Sequence, residues 1–190
     1  MTRRGSLRAS STLSRHREGG QSLVEFALVL PVILLFLVGI ADLGRLYNSA
    51  VAVESAAREA ADYGSFDASN WTPVNVPVTV AEMERRACTA VAGSHLQDYE
   101  TTDPVTNTTC TNPTFTCTLE RNGASTDCAA SRGFTDGVDC SDATTEPPCT
   151  VHVRMSYQFH LILAIPPIPA VIQADRDSFF RVSDLQPGGP

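Results

Sequence analysis

The sequence lacks the short motifs by which common enzyme classes are identified. Its 190 residues contain no G-x-S-x-G, no H-E-x-x-H and no P-loop. They also contain no lysine, since all 14 basic residues are arginines. No C-x-x-C spacing occurs among the six cysteines, which argues against a zinc site. We therefore predict that the chain is not an enzyme and needs neither cofactor nor metal.

The few side chains that could bind a metal are poorly arranged for it. His152 and His160 are eight residues apart in one predicted strand, and roughly 26 Å at strand rise is too far for one shared ion. Asp136, Asp139 and Asp142 could suggest calcium, but the D-x-[DN]-x-[DN]-G loop and its distal glutamate are missing. A solvated acidic loop is the favoured interpretation.

Charge is divided unevenly along the chain. Five arginines and one acidic residue lie in the first 20 residues, whereas residues 21–190 carry nine arginines and twenty acidic residues. The acidic part is a poor partner for nucleic acid. The positive-inside rule places the basic N-terminus in the cytoplasm and the region beyond Arg45 outside the cell membrane.

Between these regions lies one long apolar segment. The 18 residues Leu23–Ile40 are apolar except for Glu25 and include Pro31. As a helix they span about 27 Å, which is close to the hydrocarbon thickness of a bilayer. A cleaved secretory signal is the rival interpretation, but its apolar run is only about 7–15 residues and ends in an A-x-A pattern that is missing here. We predict a single membrane span in contact with lipid.

All six cysteines follow this segment, on the predicted outer side. An even number of cysteines in an exported domain indicates up to three disulfides, and six cysteines allow fifteen pairings. The stretch from 110 to 149 has few large apolar residues, so cross-links would supply much of its order. The disulfide candidates are Cys88, Cys110, Cys117, Cys128, Cys140 and Cys149.

The helix is predicted to continue past the membrane, from Asp42 to Tyr63, and to end at Gly64. Small apolar residues recur on it at steps of three and four, which allows close packing; they are Ala50, Val53, Ala57, Ala60 and Ala61. Asp42 and Arg45 can form an i, i+3 pair, interpreted as solvated and worth under about 1 kcal/mol.

Further elements follow from local patterns. A capping box of Thr79 and Glu82 predicts a helix over Val80–Val91. Alternating apolar residues over 151–160 predict a half-buried strand. Shorter strands are expected at 114–119, before the turn Asn122-Gly123, and at 178–183, with Phe179 or Phe180 facing the core. The three prolines in 165–169 predict an apolar loop against a membrane surface or a partner.

The N-terminal third resembles a known family. Its residues read G-Q-S-L-V-E-F-A-L-V-L-P over 20–31, G-I-A-D-L-G-R over 39–45 and A-A-R-E-A-A over 56–61. This order is similar to that of the TadE-like family, pseudopilin-like proteins of the bacterial tight-adherence (Flp-type) pilus system. The resemblance covers roughly residues 19–62 and does not extend to the cysteine-rich region.

The resemblance implies a processing site and an assembly segment. A prepilin peptidase would cut after Gly20, so that Gln21 becomes the new N-terminus and Glu25 the fifth residue, followed by Phe26. Glu25 would then pair with an α-amino group, its own or that of a neighbouring pilin during assembly. Pro31 has two interpretations: a kink tolerated in a membrane span, which we favour, or a weak point that lets the helix bend on assembly.

Together these observations predict an α+β, pilin-like architecture with a long N-terminal transmembrane helix and a small disulfide-bridged extracytoplasmic sheet domain. The expected divisions are a basic leader over 1–20, the helix over 21–63 and the cysteine-rich domain over 64–190. The predicted function is that of a minor pseudopilin or pilus-assembly factor with other pilus proteins as partners. The alternative is a signal-anchored extracytoplasmic binding or adhesion domain that enters no filament.

Overall fold

A computed structural model describes residues 20–128, 138–164 and 167–183. The predicted leader up to residue 19 lies outside the described residues, as do Asp136 and two residues of the predicted apolar loop, Ile165 and Pro166. By its internal contacts the chain divides into two compact units, residues 1–39 and residues 40–190.

In the first unit, the described residues form the beginning of helix α1, which runs from Gln21 to Ser65. Its large apolar side chains are exposed, with Phe26 60% and Phe36 64% accessible. The helix is long and apolar enough to cross a membrane. It continues without a break through Pro31, although this proline removes one backbone donor from the helix.

In the second unit, the part of α1 that follows residue 39 buries the predicted stripe of small residues. Ala50 is 7% exposed, and Val53, Ala57, Ala60 and Ala61 are fully buried. The helix ends at Ser65, one residue beyond the predicted glycine. The small side chains thus form the face of α1 that joins the core.

The predicted capping box is wrong. Helix α2 begins earlier, at Val76, and ends at Gly93; Asn75 precedes it, and Pro77 lies in its first turn. Thr79 is therefore inside the helix, where its Oγ1 donates to the carbonyl of Asn70 at 3.0 Å. A proline is favoured in the first turn of a helix, because its missing N–H has no helical partner there. Pro77, and not Thr79, therefore indicates where α2 begins. A short 3₁₀ helix, Ala68–Trp71, precedes α2.

Six strands follow. Strands β1 (Glu100–Thr101) and β2 (Cys110–Asn112) form a small antiparallel pair. The main antiparallel sheet has the order β4-β3-β5-β6; its strands are β3 (Thr114–Arg121), β4 (Ala124–Asp127), β5 (Thr150–His160) and β6 (Val171–Arg181). The turn between β3 and β4 uses Asn122 and Gly123 at φ 52° and 79°, as predicted.

Strand β5 confirms the alternation expected from the sequence. Its apolar side chains are fully buried, and they are those of Val151, Val153, Met155, Tyr157 and Phe159. Strand β6 begins seven residues before the predicted start, because Val171 pairs with His160. Of the two aromatic residues on β6, Phe180 packs against the core, whereas Phe179 is 57% exposed.

One continuous core joins α1, α2 and the sheet, which gives the α+β architecture predicted from the sequence. The six cysteines form three disulfides between neighbours in sequence: Cys88–Cys110, Cys117–Cys128 and Cys140–Cys149. The first joins α2 to β2, and the second joins β3 to the residue following β4. The third closes a loop just before β5.

Candidate functional site

The predicted processing site lies at the very start of α1. Gly20 precedes the helix, and Gln21 is its first residue. The Nε2 of Gln21 donates to Oε1 of Glu25 at 3.0 Å, one turn further on. The residue that cleavage would expose and the carboxylate predicted to pair with it therefore already share one helix face.

The other predicted assembly residues line the same helix. Phe26 is exposed, and Pro31 lies inside the helix, where its ring removes the hydrogen bond to the carbonyl of Ala27. Every large apolar side chain from Leu23 to Leu37 is exposed. An apolar surface of this size in a monomer indicates a lipid or protein environment.

Asp42 is the functional-site residue whose role the sequence analysis misjudged. Its interpretation as a solvated ion-pair member is wrong, since only 4% of the residue is exposed. Its carboxylate accepts the backbone N–H of Ile162 at 3.1 Å and that of Leu163 at 3.3 Å, besides an Arg45 Nη1 donor at 2.9 Å. Asp42 thus binds the connection between β5 and β6 to α1.

Arg45 extends this junction into the sheet. Its guanidinium carbon lies 5.0 Å from the centre of the Phe159 ring, within the range of a cation–π interaction. Ser49, one turn further, donates from Oγ to the carbonyl of Arg45 at 2.9 Å. Asp42 and Arg45 therefore link α1 to the end of β5 and to the connection after it by an ion pair, hydrogen bonds and a ring contact. We call Asp42, Arg45, Phe159 and Ile162 the helix–loop junction.

Tyr157 lies beside this junction. It is fully buried, and burial raises the pKa of its phenol above the ordinary value, against a smaller opposing effect of hydrogen bonds from the Asp98 amide and Ser49. The Asp98 N–H reaches the phenol oxygen at 3.3 Å. The phenol therefore stays neutral and serves as a structural hydrogen-bonding group.

The cysteine-rich region is organised by one arginine that the sequence analysis did not single out. Arg121 donates to the carbonyls of Pro147 at 2.9 Å, Thr145 at 3.0 Å and Asp142 at 3.2 Å, and also to that of Asp139. All four carbonyls belong to the loop around Cys140–Cys149. A guanidinium has five N–H donors in a fixed arrangement and can therefore bond several carbonyls at once. In the sequence, only the position of Arg121 next to a predicted turn could have indicated this role.

The polar face of the sheet carries ion pairs and a stacked pair of rings. His152 stacks on Phe179, with ring centroids 4.0 Å apart, and its Nε2 lies 3.0 Å from Asp177. Hydrogen bonds from Ser156 and Arg154 lower the pKa of Asp175. Across residues 20–128, 138–164 and 167–183, no group of three or more His, Cys, Asp or Glu side chains could hold a metal ion. This face is suited to solvation.

Comparison with known proteins gives one family match, to a segment in the N-terminal third of the chain. The model of a family described as TadE-like protein matches residues 20–62, which are 43 of the 190 residues. The resemblance predicted from the sequence is thus confirmed for this segment. Searches among curated proteins and among solved structures gave no match.

Proposed function

We propose that this protein is a minor pseudopilin or an assembly factor of a tight-adherence pilus or a related secretion apparatus. The observation that carries the proposal is the start of α1, where Gly20, Gln21 and Glu25 open a long exposed apolar helix within the family-matched segment. The protein acts in this role by contacts with other pilus proteins and not by catalysis.

Membrane topology is part of the proposal. The apolar half of α1 anchors the chain in the cell membrane, with the arginine-rich N-terminus in the cytoplasm, as the positive-inside rule requires. Three disulfides in the second unit favour an oxidising compartment for that unit. Charge and cysteine chemistry therefore point to the same orientation by independent routes.

Processing by a prepilin peptidase would prepare the helix for assembly. Removal of the leader after Gly20 gives Gln21 a protonated α-amino group at neutral pH. Glu25 lies about 6 Å further along the helix axis, and its carboxylate already accepts a hydrogen bond from the Gln21 side chain. An unpaired carboxylate is costly in lipid, so a nearby ammonium, on this chain or on a neighbouring pilin, favours its entry into an assembly.

The test is the N-terminal sequence of the protein extracted from the membrane of its own host. Wild-type protein should begin at Gln21, and Gly20→Val should retain the leader. Gly19→Val is the matched control, since it changes the adjacent glycine without changing the residue before the cut. A mature chain that keeps Arg15 and Arg17 would contradict the processing step. A chain that starts beyond Ala41 would contradict the membrane anchor as well.

The alternative function is that of a signal-anchored binding or adhesion domain outside the membrane. The observation that favours it is the loop of Cys140–Cys149, whose backbone carbonyls accept hydrogen bonds from Arg121 and which lies outside the family-matched segment. Isolation of pilus filaments separates the two functions. If the filaments contain this chain, and no longer contain it in Glu25→Ala, the pseudopilin function is supported. If the chain is anchored in the membrane but absent from the filaments, and the yield of filaments is the same without the chain, the alternative is supported.

A further inference from the structure

The connection between β5 and β6 exposes apolar side chains to the surroundings of the second unit. Ile162 is 62% exposed, Ile168 54% and Val171 39%. We call these three side chains the loop surface. The 14 residues 161–174 contain no charged side chain, although the outer part of the chain is acidic. An uncharged, exposed and apolar surface of this kind is typical of a site that a membrane or another protein covers.

The helix–loop junction binds the beginning of this loop to α1 at Asp42, within the second unit. The carboxylate of Asp42 accepts the N–H groups of Ile162 and Leu163. Asp42 is also the first charged residue after the apolar run that ends at Ile40. The beginning of the loop is therefore held within hydrogen-bonding distance of the residue at which the chain would leave the hydrocarbon.

The backbone of the loop is suited to a surrounding with little water. The N–H of Leu161 donates to the carbonyl of Ala170 at 3.0 Å, and the next two N–H groups donate to Asp42. Pro167 and Pro169 have no N–H group. Most of the backbone donors that lipid would leave unsatisfied are thus either paired within the protein or missing.

We infer that the loop surface inserts into the interfacial zone of the bilayer that α1 anchors. This inference rests on the proposed membrane anchor and goes beyond it, because the second unit would contact the membrane at a second point. A lipid occupant is favoured over a protein because the surface is tied to the residue at the membrane exit and carries no charge with which a protein partner could be selected.

Tryptophan fluorescence in lipid vesicles tests the inference on the full chain. Ile168→Trp reports on the loop surface, and Phe36→Trp reports on the apolar half of α1. Val74→Trp is the matched control, because Val74 is 82% exposed. It lies three residues after Trp71, whose indole N–H donates to the carbonyl of Gly64 near the end of α1. That end of α1 is about 33 Å from Asp42 at helical rise. The native Trp71 is buried and supplies a constant background.

The vesicles are made of phosphatidylcholine with bromine near the headgroup or near the bilayer centre. We expect the added fluorescence of Ile168→Trp to be lost most strongly to the shallow bromines, and that of Phe36→Trp to the deep ones. Val74→Trp should be quenched no more than the wild type. Retention of all three disulfides, checked as the absence of free thiols after denaturation, shows that each variant has folded; Ile162→Trp replaces Ile168→Trp if the latter fails this check.

Two results would overturn the inference while leaving the anchor intact. In both, Phe36→Trp is quenched and the Ile168→Trp signal is not. If the Ile168→Trp emission has the wavelength of a water-exposed indole, the loop surface is solvated; if it is blue-shifted, a second copy of the chain covers it. Absence of quenching in Phe36→Trp, with chains that do not sediment with the vesicles, would instead contradict the proposed anchor.

Discussion

The carboxylate of Asp42 accepts the backbone N–H of Ile162, which follows it by 120 residues in the sequence. This bond joins the part of α1 that follows residue 39 to the connection between β5 and β6. At the other end of the domain, the carbonyl of Ser65 accepts the N–H of Ser183 at 3.0 Å. The part of α1 that follows residue 39 is thus bound to chain segments next to the sheet at both of its ends.

Asp42→Ala should strongly destabilise the second unit. The substitution leaves two backbone N–H groups and the Arg45 guanidinium without their acceptor in a largely buried place, and we expect a loss of about 3 kcal/mol in the free energy of unfolding. Urea unfolding in detergent, followed by the fluorescence of the buried Trp71, measures it. Glu54→Ala is the control, because Glu54 forms an exposed i, i+4 pair with Arg58 and should change stability by under about 1 kcal/mol. Equal effects would contradict the assigned role of Asp42.

The helix–loop junction also shows which structural features can be predicted from the sequence and which cannot. The stripe of small residues on α1 and the alternation in β5 were predictable, because one element's periodicity reports which of its faces is buried. The burial of Asp42 was not predictable from such a pattern. It depends on the return of a segment 120 residues away, and no local feature of the helix records that contact.

The same limit applies to the cysteine-rich region. Disulfides could be predicted from the even number of cysteines and from their predicted position outside the membrane. The choice among fifteen pairings could not be predicted. The four carbonyl partners of Arg121 follow it by 18 to 26 residues, in the loop around Cys140–Cys149, and no local pattern records those contacts. At α2, the error had a local cause: Thr79 and Glu82 matched a capping box, while Pro77 gave the true start.

Gly64→Ala should be more destabilising than the same change elsewhere on α1. A methyl group at Gly64 would lie 2.8 Å from the Met83 side chain and 3.2 Å from the Trp71 ring. Met83 is fully buried, so its tip cannot move without disturbing the core, and we expect a cost of about 1–2 kcal/mol. Thermal unfolding measures it. Gly44→Ala, where no atom lies within 4 Å, should instead stabilise the helix by roughly 0.5–1 kcal/mol; a matching gain at Gly64 would contradict the packing argument.

Arg121→Lys should loosen the loop of Cys140–Cys149 without unfolding the domain. One ammonium group cannot reach four carbonyls that a guanidinium bonds together. Hydrogen exchange by mass spectrometry should show faster exchange for the amides of Ser141 and Thr144, which donate to Asp139 and Asp142. Arg181→Lys is the control: the Arg181 side chain reaches the same loop through the exposed carboxylate of Glu146, at 3.5 Å. Lysine keeps that single ion pair, so the substitution should leave these amides unchanged.

Acid should weaken the fold partly through Glu82. The hydrogen bond from Arg85 is the largest cause that lowers the pKa of its carboxyl from 4.5 to about 2; burial opposes it, and the hydrogen bond from Arg86 and the charges of both arginines lower the pKa further. A lowered folded-state pKa means that the stabilisation is present above pH 4.5 and is lost as the pH falls toward 2. Glu82→Gln should therefore flatten the fall of unfolding free energy in this window, by about 1 kcal/mol after allowance for solvent screening.

Glu84 supplies the matched control on the same helix. Burial raises the pKa of its carboxyl, so that in the wild type this group favours folding more as it becomes protonated on acidification. Glu84→Gln should therefore steepen the acid loss of stability, whereas Glu82→Gln flattens it. Urea midpoints measured across the acidic range for both variants decide the matter. Changes of the same sign in the two variants would contradict the assigned causes.

The three disulfides should contribute unequally to stability. In the chain-entropy account, a cross-link stabilises by restricting the unfolded chain, and more so for a longer loop. Cys88–Cys110 separates its partners by 22 residues and Cys140–Cys149 by 9. Replacing both cysteines by alanine should therefore cost roughly 0.8 kcal/mol more for the first pair. Chemical unfolding of the two double variants measures the difference, after peptide mapping without reductant has verified the remaining pairs. A larger cost for Cys140–Cys149 would mean that it acts through the native loop held by Arg121.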